Sequence, residues 1–165
     1  MKSKRMFAAV SSIAPILALG LALARPAAAH PVAETAPLVL AEYVKVHDAL
    51  ASDRVEGVAD SATKIEAMAT EMIGHAGDAE KKLYEGLAAA AAKMKAGDLA
   101  ALRAPMKELS VAVDAFLRAA GTPGWQLYYC PMADGYWIQT TEGVRNPYSG
   151  AKMLACGAKV DKVGA

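Results

Sequence analysis

Apolar residues recur at steps of three and four along much of the chain, which is the period of an α-helix with one buried face. The most regular run consists of Leu99, Leu102, Met106, Leu109, Val113, Phe116 and Ala120. Shorter runs of the same kind cover residues 38–51, 54–73 and 78–95. Four amphipathic segments joined by short turns are typical of an up-down bundle, so we expect a mainly α protein with a four-helix bundle over residues 38–120.

Turn and capping residues divide this pattern. Ser52 and Asp53 predict a break followed by the N-cap of the second helix, and Asp98 predicts the N-cap of the fourth. Pro105 lies inside the fourth pattern and predicts either a kink or a helix that begins near it. Residues 30–37 contain two prolines, which predict a short extended lead-in before the bundle.

From residue 121 the composition shifts to glycine, proline and aromatic residues. Residues 125–129 and 136–141 are rich in β-forming residues, and Asp134 and Gly135 between them are typical of a turn. We therefore expect residues 121–165 to form a small β-hairpin and loop tail packed on the bundle.

The first 29 residues have the features of a secretory signal. Lys2, Lys4 and Arg5 precede an apolar run over residues 6–24, and three alanines at positions 27–29 supply a cleavage pattern. Cleavage after Ala24 is an alternative, as is a retained membrane anchor, because the run is nearly long enough to span a bilayer. The preferred interpretation is an exported, periplasmic chain with no membrane segment after cleavage.

Charge and motif content exclude several functions. Residues 1–29 carry four basic residues and no acidic one, so their removal changes the formal net charge from +1 to −3. No basic patch with interleaved aromatics is present, which argues against nucleic-acid binding. No catalytic triad, phosphate-binding loop or C-x-x-C redox motif is visible, so we do not expect an enzyme.

Both cysteines lie in the tail, and each has a methionine close by in the sequence. Cys130 and Met132 are two residues apart and would share one face of a strand, and Met153 and Cys156 are three apart and would lie side by side on a helical turn. Thiolate and thioether sulfur are soft donors that select Cu(I), or Ag(I), over harder ions. These four residues are our candidate metal ligands.

The residues alone leave a second interpretation open. Two cysteines in an exported chain also predict a structural disulfide, with Met132 and Met153 as packing residues. A Cys130–Cys156 bond would close a loop of 26 residues and contribute about 3 kcal/mol in the chain-entropy model. Zinc is less suitable, because no histidine or further cysteine in the segment completes a tetrahedral set.

Three further features involve histidine. Met68, Met72 and His75 are spaced to form an auxiliary Cu(I) site, although the preferred interpretation is that the methionines are core residues and His75 caps a helix end. His30 would become the N-terminal residue after cleavage and could chelate Cu(II) together with the terminal amine. His47 is expected at the surface of a helix.

The tail motif resembles the domain of unknown function that is appended to periplasmic adaptor subunits of copper and silver efflux pumps and that also occurs as stand-alone exported proteins. The resemblance covers residues 38–160. Its motifs are Tyr129-Cys130-Pro131-Met132-Ala133, Tyr136-Trp137-Ile138 and Asn146-Pro147-Tyr148-x-Gly150-x-x-Met153-Leu154-x-Cys156-Gly157. Upstream it extends to Tyr43, to Asp48-Ala49-Leu50-Ala51-x-Asp53 and to Met106-x-x-Leu109-Ser110.

The resemblance implies a helical bundle whose Cys/Met-rich tail takes part in copper handling through Cys130, Met132, Met153 and Cys156. The expected function is to buffer Cu(I) or to pass it to a partner, either an efflux adaptor or a copper chaperone. This sequence lacks the hairpin and barrel parts of an adaptor, which argues against a direct role as a pump subunit. The alternative function is a metal-free interaction module of the cell envelope, locked by a disulfide.

Overall fold

The computed structural model, which describes residues 31–164, places four helices before a small antiparallel sheet. The helices are α1 (Pro31–Ala51), α2 (Val58–Ile73), α3 (Asp78–Ala92) and α4 (Leu99–Ala120). The strands are β1 (Gln126–Cys130), β2 (Gly135–Gln139) and β3 (Ala158–Val160), with a 3-10 helix, Gly150–Met153, between β2 and β3. The predicted fold class, a helical bundle followed by a small β-rich tail, is confirmed. The predicted signal peptide and His30 lie outside the described residues.

Each helix contacts its neighbours in a closed ring, α1 with α2, α2 with α3, α3 with α4, and α4 with α1. The buried side chains inside the ring follow the helical period. They include Val39, Tyr43, Val46 and Leu50 of α1, Ala62 and Ile65 of α2, Tyr84 and Leu87 of α3, and Met106, Leu109, Val113 and Phe116 of α4. The many alanines of α3 allow close approach, and two of them, Ala90 and Ala91, are buried.

The predicted extended lead-in is wrong, because residues 31–37 belong to α1. Val32 and Ala36 are buried, and together with Val39 they continue the apolar face of α1 towards its start. Packing of this face stabilises the helix despite Pro37, which lacks a backbone donor and lies inside α1. Pro31 is the first residue of α1, a position where the missing N–H costs nothing.

The other helix boundaries differ less from expectation. The break after α1 is present, but α2 begins at Val58 with Gly57 as its N-cap, so Ser52 and Asp53 lie in the intervening turn. Asp98 is the N-cap of α4 as predicted, and its Oδ1 accepts a hydrogen bond of 2.9 Å from the backbone N–H of Ala101. α4 runs through Pro105 without interruption.

The tail forms one antiparallel sheet with the strand order β2-β1-β3. β2 packs against both α1 and α4, and the 3-10 helix contacts α1. The sheet thereby covers one side of the bundle where these two helices meet. Within residues 31–164, none of the helices combines the length and the apolar character needed to cross a membrane.

Candidate metal centre

The two cysteines meet at one end of the central strand. Cys130 is the last residue of β1, and the antiparallel pairing of Tyr129 with Ala158 returns the chain so that Cys156 lies beside Cys130. Their Sγ atoms are 2.7 Å apart. Cys130 is fully buried, whereas Cys156 is partly exposed. Residues 26 apart in the sequence thus form one dithiol pair that a ligand can reach from the Cys156 side.

The sulfur–sulfur distance can be compared with two chemical states. A disulfide bond is about 2.05 Å long, so a small displacement would suffice to form one. With metal–sulfur bonds of about 2.3 Å, two sulfurs at a tetrahedral to linear angle on one ion lie roughly 3.8 to 4.6 Å apart. A metal ion between these thiolates therefore requires the sulfurs to separate by roughly 1 to 2 Å.

Asn146 connects the pair to the loop that carries the second cysteine. It is fully buried, and its Nδ2 donates to the backbone carbonyl of Cys156 at 2.8 Å. Its Oδ1 accepts from the backbone N–H groups of Tyr148 at 2.8 Å and Ser149 at 3.3 Å, and its own backbone N–H donates to the carbonyl of Leu154 at 2.8 Å. A buried amide with these partners fixes the loop around Cys156.

The two thiols have different electrostatic surroundings. Burial raises the pKa of Cys130, but hydrogen bonds from Cys156, from the backbone N–H groups of Ala133 and Met132, and from Asn146 outweigh it, so the pKa lies below its ordinary value. The hydrogen bond to Cys130 and burial raise the pKa of Cys156. In the reduced pair, Cys130 is therefore the thiol that ionises first.

The methionines are placed differently from the sequence-based expectation. Cys130 ends β1, so Met132 does not share a strand face with it but lies in the following turn, with 75% of its surface exposed. Met153 ends the 3-10 helix, is half-buried, and its carbonyl accepts a hydrogen bond of 3.0 Å from the backbone N–H of Cys156. The expectation that Met153 and Cys156 share one turn is confirmed; the role of either methionine as a ligand stays a prediction.

A second cluster of polar contacts anchors the loop of residues 146–151 to the bundle. Arg103 of α4 donates from Nε to the carbonyl of Pro147 at 3.0 Å and from Nη2 to the carboxylate of Asp53 at 2.5 Å. The other carboxylate oxygen of Asp53 accepts from the backbone N–H of Ala151 at 2.8 Å. This backbone hydrogen bond, followed by the one from Arg103, holds the pKa of Asp53 below its ordinary value.

A buried chain of hydrogen bonds links the bundle to β2. The backbone N–H of Ile138 donates to the hydroxyl of Tyr43 at 3.0 Å, and the hydroxyls of Tyr43 and Ser110 are 2.7 Å apart. Because Ser110 donates its only hydroxyl proton to the carbonyl of Met106 at 2.8 Å, Tyr43 is the donor to Ser110. Burial raises the pKa of Tyr43 and keeps its hydroxyl protonated.

Aromatic side chains pack around the cysteines. Trp137 is fully buried, stacks on Tyr128 with 5.5 Å between ring centroids, and meets Tyr148 edge-on at 6.1 Å. Gly157, the residue after Cys156, has φ +140° and lies so close to Trp137 that a Cβ would be 2.3 Å from its Cη2 atom. These contacts pack the aromatic side chains of the tail against one another and against the segment of Cys156.

Two predictions concern histidine and methionine residues outside the tail; one is wrong and the other stays a prediction. The prediction that His47 is a surface residue is wrong: it is buried, and its Nε2 donates to the carbonyl of Arg145 at 2.8 Å. Its partner is 98 residues away in the sequence, so no local pattern indicated it. Met68 and Met72 are half-buried on α2 and His75 is exposed, and their metal-binding role stays a prediction.

Residues 31–164 contain no group of three or more histidine, cysteine, aspartate or glutamate side chains that could hold a metal ion. Two thiolates supplemented by thioethers are a donor set of another kind, and their soft chemistry suits Cu(I). Comparisons with protein-family models, with curated proteins and with solved structures found no match. The resemblance to the efflux-associated domain therefore stays a prediction.

Proposed function

We propose that this chain is a periplasmic protein that binds a soft metal ion, Cu(I) or Ag(I), through the thiolates of Cys130 and Cys156, and that it buffers the ion or passes it to an efflux partner. The observation that carries this proposal is the placement of the chain's two thiols 2.7 Å apart, at a partly exposed end of the central strand β1. Thiolate pairs prefer Cu(I) to harder ions.

The environment of Cys130 favours a thiolate ligand. Metal binding requires deprotonated cysteine, and the hydrogen bonds that lower the pKa of Cys130 reduce the cost of losing its proton. Two buried aromatic rings pack next to the pair: Trp137 lies against Gly157, the residue after Cys156, and Tyr148 lies against Gly135, which pairs with Cys130 in the sheet. A Cu(I) thiolate centre shielded in this way is protected from hard competing ligands such as water.

Metal uptake requires the sulfurs to move apart, and rotation of the partly exposed Cys156 side chain would supply this movement while Asn146 holds its backbone. Cys130 is held in the central strand β1, whereas Cys156 lies between the 3-10 helix and β3, in a segment without regular structure. The exposed Met132 and the half-buried Met153 lie between the two cysteines in sequence, each close to one of them, and their thioethers would serve as additional, exchangeable ligands. Transfer would then proceed by ligand exchange, as an incoming sulfur displaces a methionine.

The short sulfur–sulfur distance favours a second candidate function, because 2.7 Å is closer to a disulfide bond than to a pair of ligands on one ion. In that case the tail is a disulfide-locked module on a helical bundle, and it docks to another protein of the envelope without a metal. The two candidates differ in whether the reduced protein binds copper.

The test is an anaerobic Cu(I) titration of reduced protein against a competing chelator. The proposal predicts one tightly bound equivalent in the wild-type protein and loss of this binding in Cys130→Ser and in Cys156→Ser. Met94→Leu, which changes a buried methionine outside the tail, is the matched control and should bind as the wild type does. Wild-type binding no stronger than that of both cysteine variants would overturn the proposal and leave the disulfide-locked module.

A further inference from the structure

The two sulfurs of the pair differ in their access to solvent. Cys130 is fully buried on β1, between Tyr129 and the turn that begins at Pro131. Cys156 is partly exposed, and the residues on either side of its short segment, Ala155 and Ala158, are exposed. A molecule that approaches from solvent therefore meets the sulfur of Cys156 first.

The two sulfurs also differ in their place in the sheet. Cys130 is the last residue of the central strand β1, whereas Cys156 lies between the 3-10 helix and β3. Their Sγ atoms are 2.7 Å apart, so a small displacement brings them to the length of a disulfide bond. When an external thiolate attacks the accessible sulfur of Cys156 in that bond, the buried sulfur of Cys130 is the leaving group.

We infer that Cys130 and Cys156 form a reversible dithiol–disulfide couple, which an external dithiol reduces by attack on the sulfur of Cys156 while Cys130 departs. The partner is identified by its chemistry as a thiol–disulfide exchange protein with two neighbouring thiols. The inference rests on the proposed function only in its consequence, namely that reduction makes the pair available to a metal ion.

The exchange balances in two steps. A thiolate of the partner attacks Cys156 Sγ, the bond between Cys156 and Cys130 breaks, and its electron pair leaves on Cys130 as a thiolate. The second thiolate of the partner then attacks the partner's own first sulfur, which releases Cys156 as a thiolate. The pair gains two electrons and, on protonation, two protons, and the partner becomes a disulfide.

The redox state of the pair would regulate metal binding at the site. In the oxidised pair both sulfurs are bonded to each other, and neither is a thiolate ligand. Reduction through Cys156 leaves a thiolate on Cys130, which stays in place at the end of β1. The reduced pair is thereby ready to bind a soft ion, and the redox state of the partner decides when it does so.

The test uses metal-free, oxidised wild-type protein and reduced glutathione as the attacking monothiol, with an acid quench and peptide mapping by mass spectrometry. We expect the mixed disulfide on Cys156 and a free thiol on Cys130. In the wild-type protein, Cys130 can attack the mixed disulfide and displace glutathione, so the single-cysteine variants provide a second measurement. Each variant is treated with glutathione disulfide. Because Cys156 is the more exposed thiol, Cys130→Ser should react at least about tenfold faster than Cys156→Ser.

Four results would overturn the inference. An adduct on Cys130 in the wild-type protein, or equal reaction rates in the two variants, would remove the asymmetry. A disulfide that survives dithiothreitol in the native protein would make the pair a permanent staple, and a pair that never oxidises in glutathione disulfide would not be a redox couple. All of these measurements use metal-free protein, so a result that overturns this inference is distinct from a negative Cu(I) titration, which would overturn the proposed function.

Discussion

At the scale of single residues, Gly157 decides how closely the segment of Cys156 approaches the sheet. Its φ of +140° and its contact with Trp137 leave no room for a Cβ. A side chain here would push the segment away from Trp137 and would displace the neighbouring Cys156 from Cys130. The glycine that follows the second cysteine is thus part of the geometry of the pair.

We predict that Gly157→Ala destabilises the protein and weakens Cu(I) binding. The matched control is Gly143→Ala, also in the tail, where φ is +79° but no atom lies within 4 Å of the added Cβ. The clash at Gly157 should cost about 1–3 kcal/mol more than the control, as overpacking typically does. Denaturant unfolding measures the difference, and equal costs would show that the contact with Trp137 is unimportant.

Residue-level predictions from the sequence succeeded where the chemistry was local. The spacing of Met153 and Cys156 predicted one shared turn, and that turn is present. The burial of His47 was missed because its acceptor, the carbonyl of Arg145, lies in a loop of the tail. The expected shared strand face of Cys130 and Met132 is wrong because it extended the strand predicted over residues 125–129 beyond its end, whereas β1 ends at Cys130 and Met132 lies in the turn.

At the scale of secondary-structure elements, Tyr43 links α1, α4 and β2. Its hydroxyl accepts from Ile138 and donates to Ser110, so the three elements share one buried chain of hydrogen bonds. We predict that Tyr43→Phe costs about 1–3 kcal/mol, because it leaves the N–H of Ile138 buried without an acceptor. Tyr129→Phe is the control, since that hydroxyl donates to the exposed Asp134. Hydrogen exchange of the Ile138 amide should accelerate only in Tyr43→Phe; equal acceleration in both variants would contradict this role.

The same tyrosine gives a pH dependence. Burial raises the pKa of Tyr43 in the folded protein, so its hydroxyl ionises more readily in the unfolded chain. The stabilisation is complete below the unfolded pKa of about 10 and decreases as the pH rises above it. Tyr43→Phe should therefore lose less stability than the wild type between neutral pH and pH values above about 10. An identical loss in both proteins, measured by denaturant unfolding, would contradict this assignment.

Element-level prediction was accurate for the helices because their period depends on a single buried face. Leu102, Met106 and Leu109 are buried as their spacing predicted. The start of α1 was misjudged because two prolines outweighed the apolar pattern of Val32 and Ala36, whereas burial of that face outweighs the prolines in the fold. The third strand was not part of the predicted hairpin and loop tail, because its three residues, Ala158–Val160, have no distinctive pattern apart from their pairing with β1.

At the scale of the whole molecule, the redox state of the pair should change global stability. A bond between Cys130 and Cys156 would close a loop of 26 residues and restrict the unfolded chain. We predict that the oxidised protein is about 3 kcal/mol more stable than the reduced protein. Denaturant unfolding with and without reductant measures this difference, with Cys130→Ser as the control in which reductant has no effect. Equal stability of the two redox forms of the wild type would contradict the prediction.

The most direct test of the central claim is copper X-ray absorption on the reduced, Cu(I)-loaded protein, because it reports the atoms bound to the metal. The account predicts an inner shell of sulfur only, at about 2.3 Å, the length typical of metal–thiolate bonds. The same spectrum from Met94→Leu should be unchanged, whereas Cys130→Ser should lose this sulfur shell. A shell dominated by nitrogen or oxygen in the wild-type protein would place the metal away from Cys130 and Cys156 and would contradict the account.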